Sequence, residues 1–329
     1  MTAAPVPVHS PLTWFGGKGH LARRIVPLLP PHEAYLETHG GGLSVLFHKA
    51  RARLETVNDL DGGVIQFYRV LRDPDAFEWF RVFCELTPYA REEYEGCRDG
   101  WRDGWRDEED PVRRAWAWFV GVRQAFGGAT GSAERHGWTY SVGVPSGTGA
   151  STATATPGTW GYSARNADGT RVASSAQRYL SAVDRLPEVH QRLQGVQIER
   201  GDWRRVLAAY GHTGVLCYID PPYVWETRAG DKRYAHEMTT ADHHDLTAAL
   251  LASPALCVLS GYRHEAVHRP REEAGWEHTD IDVPISAARH REGLRRVESL
   301  WRNPAAVAAW ECARCQPALF TFEEEEIDQ

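Results

Sequence analysis

The chain has 329 residues, 42% of them hydrophobic, and a net charge of −7. That composition holds one large folded domain or two modest ones and excludes a disordered chain. No apolar run reaches membrane-spanning length, and Met1 to Ser10 lacks the basic-then-apolar order of a signal sequence, so a cytoplasmic protein with no membrane partner is expected.

In chain order, the first marked segment is Thr13-Trp14-Phe15-Gly16-Gly17-Lys18. Tyr35 to Phe47 then reads as strand, glycine loop (Gly40-Gly41-Gly42) and helix, and Glu55-Thr56-Val57-Asn58-Asp59 as a second strand with an acidic end. This is the first half of a Rossmann-like nucleotide site. Asp59 follows Glu37 by 22 residues, near the spacing of a ribose-binding acid, although the loop does not fit G-x-G-x-x-G. A helix is expected from Asp61 to Arg72, with Val64, Ile65, Tyr68 and Leu71 on one face, broken at Asp73-Pro74.

Residues 75–195 lack the strand-and-glycine pattern and carry aromatic helical stretches, notably Trp116 to Phe126. Within them, 127–161 turns rich in Gly, Ser, Thr and Ala and reads as a long flexible loop. A strand returns at Val196-Gln197-Ile198. A helix from Thr240 to Ala252, capped by Thr239 or Thr240, precedes a strand at Ala255 to Ser260, and antiparallel strands are expected up to about Trp301. The domain organisation expected is a split α/β core (1–74 and 196–310), an insertion (75–195) and an acidic tail (311–329). Six scattered cysteines read as reduced, and the lone Cys312-x-x-Cys315 pair is too little for a metal site, so no metal is expected.

The most informative residues are Asp220-Pro221-Pro222-Tyr223, directly after the apolar run Val215 to Ile219. In an open α/β sheet, ligands bind just beyond the carboxyl ends of the strands. Two prolines stiffen this turn and remove backbone donors, leaving carbonyls free to accept. A carboxylate, a carbonyl and an aromatic face then converge, a surface suited to a flat heterocycle bearing an amino group. The polar stretch after it, Glu226 to Met238, offers Arg228, Lys232 and Arg233.

Taken together, these residues resemble the Dam-like adenine-specific DNA methyltransferases, closest to the phage and prophage members. The order matches: Trp-x-Gly-Gly-Lys, glycine loop, Asn58-Asp59, Asp-Pro-Pro-Tyr. Further counterparts are Gly158 to Ser163, Arg185 to His190, Gly201-Asp202-Trp203, His236 to Thr239, Asp242-His243 and Leu259 to Tyr262, so the likeness runs over roughly residues 10 to 305. It implies a Rossmann-like core that uses S-adenosyl-L-methionine, with an inserted, mainly helical target-recognition region. The implied substrate is a flipped-out adenine in double-stranded DNA.

By the same resemblance, Asp220, Pro221, Pro222 and Tyr223 are catalytic. Trp14, Gly17, Lys18, Glu37, Gly40, Gly42, Asp59, Asp202 and Asp220 bind the cofactor. Asp220 and the Pro221 carbonyl accept the two amino N–H bonds, and Tyr223 stacks on the base. In one departure, the family carries Pro-Phe where this chain has Thr38-His39, which alters an aromatic wall of the cofactor site. DNA contacts are expected from Arg123, Arg135, His136, Trp138, Arg228, Lys232 and Arg233, local positive charge within an acidic chain. A restriction endonuclease partner is not readable from these residues. Two other readings share the tetrapeptide: a related enzyme acting on RNA, protein glutamine or cytosine, and a DNA-binding relative without turnover.

Overall fold

The computed structural model describes residues 7–103, 109–125, 137–140, 174–224, 236–283 and 296–315. A seven-stranded sheet is built from β1 (Ala34–Glu37), β2 (Leu54–Asp59), β3 (Gln197–Arg200), β4 (Val215–Ile219), β5 (Leu256–Gly261), β6 (Glu277–Val283) and β7 (Arg296–Arg302). Its order is β3-β2-β1-β4-β5-β7-β6. Strands β1 to β5 pair in parallel, and β7 runs antiparallel between β5 and β6. The core is therefore a Rossmann-like α/β sheet. The chain moves outward through β1, β2 and β3, then returns so that β4 lies against β1. That reversal opens a crevice at the carboxyl ends of β1 and β4.

The strand sequences explain their places. Val215 to Ile219 and Leu256 to Gly261 are buried almost throughout, as suits parallel strands covered on both faces. Helix α3 (Gly62–Arg72) starts where the Asp61 carboxylate accepts from the Gly63 N–H at 2.7 Å. Asp73-Pro74 does more than end that helix. Asp73 caps α4 (Pro74–Leu86) through the Ala76 N–H, and Pro74 occupies its first turn. Thr239 and Asp242 form a capping box at α10 (Thr240–Ala252), as the sequence reading placed it.

The insertion between β2 and β3 is helical: α4, α5 (Arg91–Asp103), α6 (Pro111–Gln124), α7 (Ser175–Val183) and α8 (Leu186–Leu193). It is not packed as a separate unit. Phe80, Trp118, Phe119, Tyr179 and Val189 join one continuous core with Tyr35, Phe47 and Phe67. Phe67 of α3 stacks on Phe119 of α6, ring centres 5.4 Å apart. Gly63 permits this approach, because a Cβ there would lie 2.2 Å from Trp118 Nε1. Burying each such phenyl ring contributes roughly 1.5–3 kcal/mol. A second core on the opposite sheet face gathers Leu36, Cys217, Ile219, Trp203, Leu246, Trp276 and Trp301.

One expected boundary moves. Residues 311–315 belong to the final helix, α12 (Pro304–Cys315), rather than to an acidic tail. Asn303 starts that helix by accepting from the Ala306 N–H, and Trp310 donates to the Pro27 carbonyl, which ties α12 to the core. Among the described residues, no helix is long and apolar enough to cross a membrane.

Candidate active site

The carboxyl ends of β1, β2 and β4 and the turn after β3 converge on a cleft of about 310 Å³. All nine residues expected to hold a cofactor line it: Trp14, Gly17, Lys18, Glu37, Gly40, Gly42, Asp59, Asp202 and Asp220. Asn58 fastens the cleft's floor. Its side-chain amide donates to the carbonyls of Thr38 (2.8 Å) and Gly201 (3.0 Å), and its backbone carbonyl accepts from the Gly40 N–H. Asp59 accepts from the backbone N–H groups of Gly41 and Asp61, both at 2.8 Å. The Trp14 indole lies on the glycine loop. A Cβ on Gly41, whose φ is +47°, would sit 2.4 Å from its Nε1. Gly41, not its two neighbours, is thus the sterically obligatory glycine of this contact.

Asp220 is held by a buried network. Lys18 Nζ donates to both of its carboxylate oxygens at 2.7 Å and to the Gly16 carbonyl at 2.9 Å. Ser260 Oγ donates to Asp220 Oδ1 at 2.9 Å and lies 3.1 Å from the Tyr218 hydroxyl. A second carboxylate, Glu298 of β7, stands 3.5 Å from the same ammonium. The Lys18, Asp220 and Glu298 side chains are 4%, 17% and 5% exposed, so three charged groups share a nearly dry site. An ionised carboxylate has about four acceptor positions. The contacts above use three, leaving Oδ2 with one to spare.

Electrostatics set this cleft apart. Burial pushes the Glu37 carboxyl up to about 8, against the opposing hydrogen bond from the Tyr35 hydroxyl at 2.8 Å. Burial also raises Asp59 to about 6, and burial with the neighbouring Asp220 raises Glu298. The cleft therefore holds more carboxylates than its cations can compensate. His39 is driven down to about 3, chiefly by burial, and stays neutral. Thr38 Oγ1 lies 2.8 Å from its Nδ1, and its Nε2 has no hydrogen-bond partner among the described residues. Thr38 and His39 thus work as a pair: the hydroxyl orients a flat neutral ring against the cleft.

The Asp220-Pro221-Pro222-Tyr223 tetrapeptide divides. Asp220 and Pro222 face the cleft, whereas Pro221 and Tyr223 line a smaller cavity behind it. Tyr223 differs from the expected base-stacking face. It is buried, with its hydroxyl donating to Glu298, its ring edge-on to Tyr262 (4.6 Å) and Lys18 Nζ 4.8 Å from its centroid. A buried phenol needs an acceptor, and Glu298 supplies it. Glu298 is a site residue that the sequence reading did not single out, and Ser260 entered it only within the matching segment Leu259 to Tyr262. Glu298 gave no local signal, since only the antiparallel β5–β7 pairing brings it to Asp220.

Two residues expected at DNA have partners within the chain. Arg123 donates to Thr13 Oγ1 (2.6 Å) and to the Arg178 carbonyl (2.7 Å), and burial lowers its pKa to about 10. It braces the N-terminal segment against α7. Trp138 donates to Gln124 Oε1 and stacks with Tyr140 beneath Arg91, so its ring packs on the insertion. Arg135, His136, Arg228, Lys232 and Arg233 lie outside the described residues. Cys312 and Cys315 are both exposed on α12.

The fold and cleft define a Rossmann-like α/β protein with an acidic crevice at its switch point. No family model matches the chain. No curated protein matches it either. Among solved structures it is similar to the rRNA methyltransferase AviRa from Streptomyces viridochromogenes, at 12% identity over 93% of this chain and 90% of that one, with a TM-score of 0.30.

Proposed function

We propose that this chain is an S-adenosylmethionine-dependent methyltransferase acting on the exocyclic amino nitrogen of adenine in duplex DNA. The observation that carries the reading is the position of Asp220. Its carboxylate lies at the carboxyl end of β4, inside the cleft, with one acceptor position still available. The motif order across the chain supports a Dam-like enzyme.

The residues fit the cofactor. Its sulfonium and α-ammonium groups are cationic, and Glu37 is a buried acid whose pKa burial raises to about 8. Glu37 would meet that charge. Asp59, already fixed by two backbone N–H groups, would accept from the ribose hydroxyls. Trp14 and His39 would border the adenosine, and Asp202 would lie beside the base. The cofactor supplies an activated methyl group on sulfur.

An adenine amino group is a poor nucleophile because its lone pair is delocalised into the ring. Asp220 accepts one N–H and the Pro221 carbonyl the other, which favours a nitrogen with its lone pair freed for attack. Positive charge develops on that nitrogen during transfer. Lys18 opposes that charge, and the Glu298 carboxyl 3.5 Å from its ammonium offsets Lys18 in part. Holding the reactants in line contributes much of the rate. The target base must leave the helix, at about a few kcal/mol.

Incubation with methyl-labelled S-adenosylmethionine and unmethylated plasmid, followed by nucleoside analysis, tests this. Label in N6-methyladenine is the expected result. Label confined to methylcytosine, RNA or protein would reassign the acceptor. Failure of the chain to bind adenosine derivatives at all would sink the cofactor assignment.

A further inference from the structure

Behind the Asp220 turn lies a second, small cavity lined by Pro221, Tyr223, His243, Tyr262, His268 and Arg271 among others. Arg271, on α11 (Glu265–Glu273), is fully buried. Its Nη2 donates to Thr247 Oγ1 at 2.6 Å, while Nε and Nη1 have no acceptor among the described residues. Its sequence neighbour Glu272 is engaged elsewhere, by Arg263 and by the Trp301 indole. Among the described residues, no carboxylate lines the cavity. Burial is the sole influence on this guanidinium and lowers it only to about 10, so it remains charged at neutral pH.

His268 can add a second donor. His268 Nδ1 lies 2.9 Å from the His264 backbone nitrogen and 3.1 Å from the His264 carbonyl oxygen; in the tautomer where it accepts from that N–H, the proton of the neutral ring sits on Nε2. The ring is fixed by stacking on Trp301, centres 4.0 Å apart. Burial, with the Arg271 charge as a lesser influence, holds His268 down at about 3. The cavity therefore offers hydrogen-bond donors and one full positive charge, with no acid among the described residues to balance it. An isolated buried charge costs several kcal/mol unless a counter-charge meets it. A water would satisfy the N–H groups but would leave the charge. The space at the cavity's centre takes one water-sized particle, too little for a phosphate.

We infer that this cavity is a binding site for a single monatomic anion, a halide such as chloride, held by Arg271 Nε and Nη1. Such an ion packs against Pro221 and Tyr223 and stiffens the turn that presents Asp220. The inference is independent of what the chain methylates.

The test uses the full chain, crystallised from bromide, with anomalous diffraction locating the ion. A bromide within hydrogen-bonding distance of Arg271 Nη1 is expected. In parallel, melting is followed at constant ionic strength while sodium gluconate is replaced by sodium chloride. The expected result is a saturable rise of on the order of a few degrees in the wild type. That rise is absent in Arg271→Met and reduced in His268→Gln. A water alone at that position, or melting indifferent to halide, overturns the site. The wild-type diffraction result stands even where Arg271→Met folds poorly.

Discussion

Two buried acid–base clusters sit at opposite ends of the same sheet, and they are balanced differently. At the amino end, Glu55 of β2 meets Lys49 at 2.6 Å and Arg192 at 2.5 and 2.9 Å. Burial pushes its carboxyl up, but the Arg192 and Lys49 contacts outweigh it and the net shift is downward. At the carboxyl end, Lys18 is shared by Asp220 and Glu298, and Glu37 is pushed up to about 8. The first cluster is complete. Among the described residues the second holds more acid than its lysine balances, as a site awaiting a cationic ligand would. Tyr35 touches both: its ring lies under the Lys49 ammonium and its hydroxyl donates to Glu37.

The contrast can be broken at several points. Glu55→Ala strands two buried cations and is expected to cost about 3–5 kcal/mol of stability in denaturant unfolding. Glu37→Gln should cost far less at neutral pH, and equal losses would erase the distinction. Asp220→Ala should lower methyl transfer by on the order of 100- to 1,000-fold or more while the melting transition persists. Wild-type turnover in that variant would remove Asp220 from its role. Glu298→Gln is expected to lower kcat by roughly tenfold to a hundredfold, with cofactor affinity unchanged. A change confined to affinity would instead make Glu298 a scaffold for Lys18.

The smallest effect concerns protons. Glu37 sits at about 8 when folded against 4.5 when unfolded, so the folded state binds the extra proton between those values. Stability therefore falls as pH rises through that window. His39 and His268, depressed when folded, act the other way, but only below their unfolded value of 6.5. From pH 6.5 to 8 the ligand-free protein should lose stability. Cofactor binding should release a proton there, read by calorimetry in buffers of different ionisation heat, and Glu37→Gln should abolish that release.

Much of the cleft was legible because its parts are local. Strands β1 and β2 end in an acid and another follows β4 directly, so Glu37, Asp59 and Asp220 announce themselves near glycine or proline. Asp202 does so at the head of its helix. Glu298 was illegible because strand register, not sequence neighbourhood, brings it to Lys18. Tyr223 read as a base-stacking ring, since nothing local shows that its hydroxyl has a buried acceptor. Arg123 read as a phosphate ligand for the same reason, its partners Thr13 and Arg178 being distant in sequence. The helices of 75–195 were visible as aromatic periodicity, but their merger with the sheet's core was not.

That merger limits how the molecule can be re-engineered or diversified. A specificity cassette that can be traded between enzymes must lift out without exposing what lies beneath it. Here Phe119 and Tyr179 close the same interior as Phe67 and Tyr35, so excising the insertion would leave the scaffold open to water. Those helices can be altered only by resurfacing them in place, one side chain at a time.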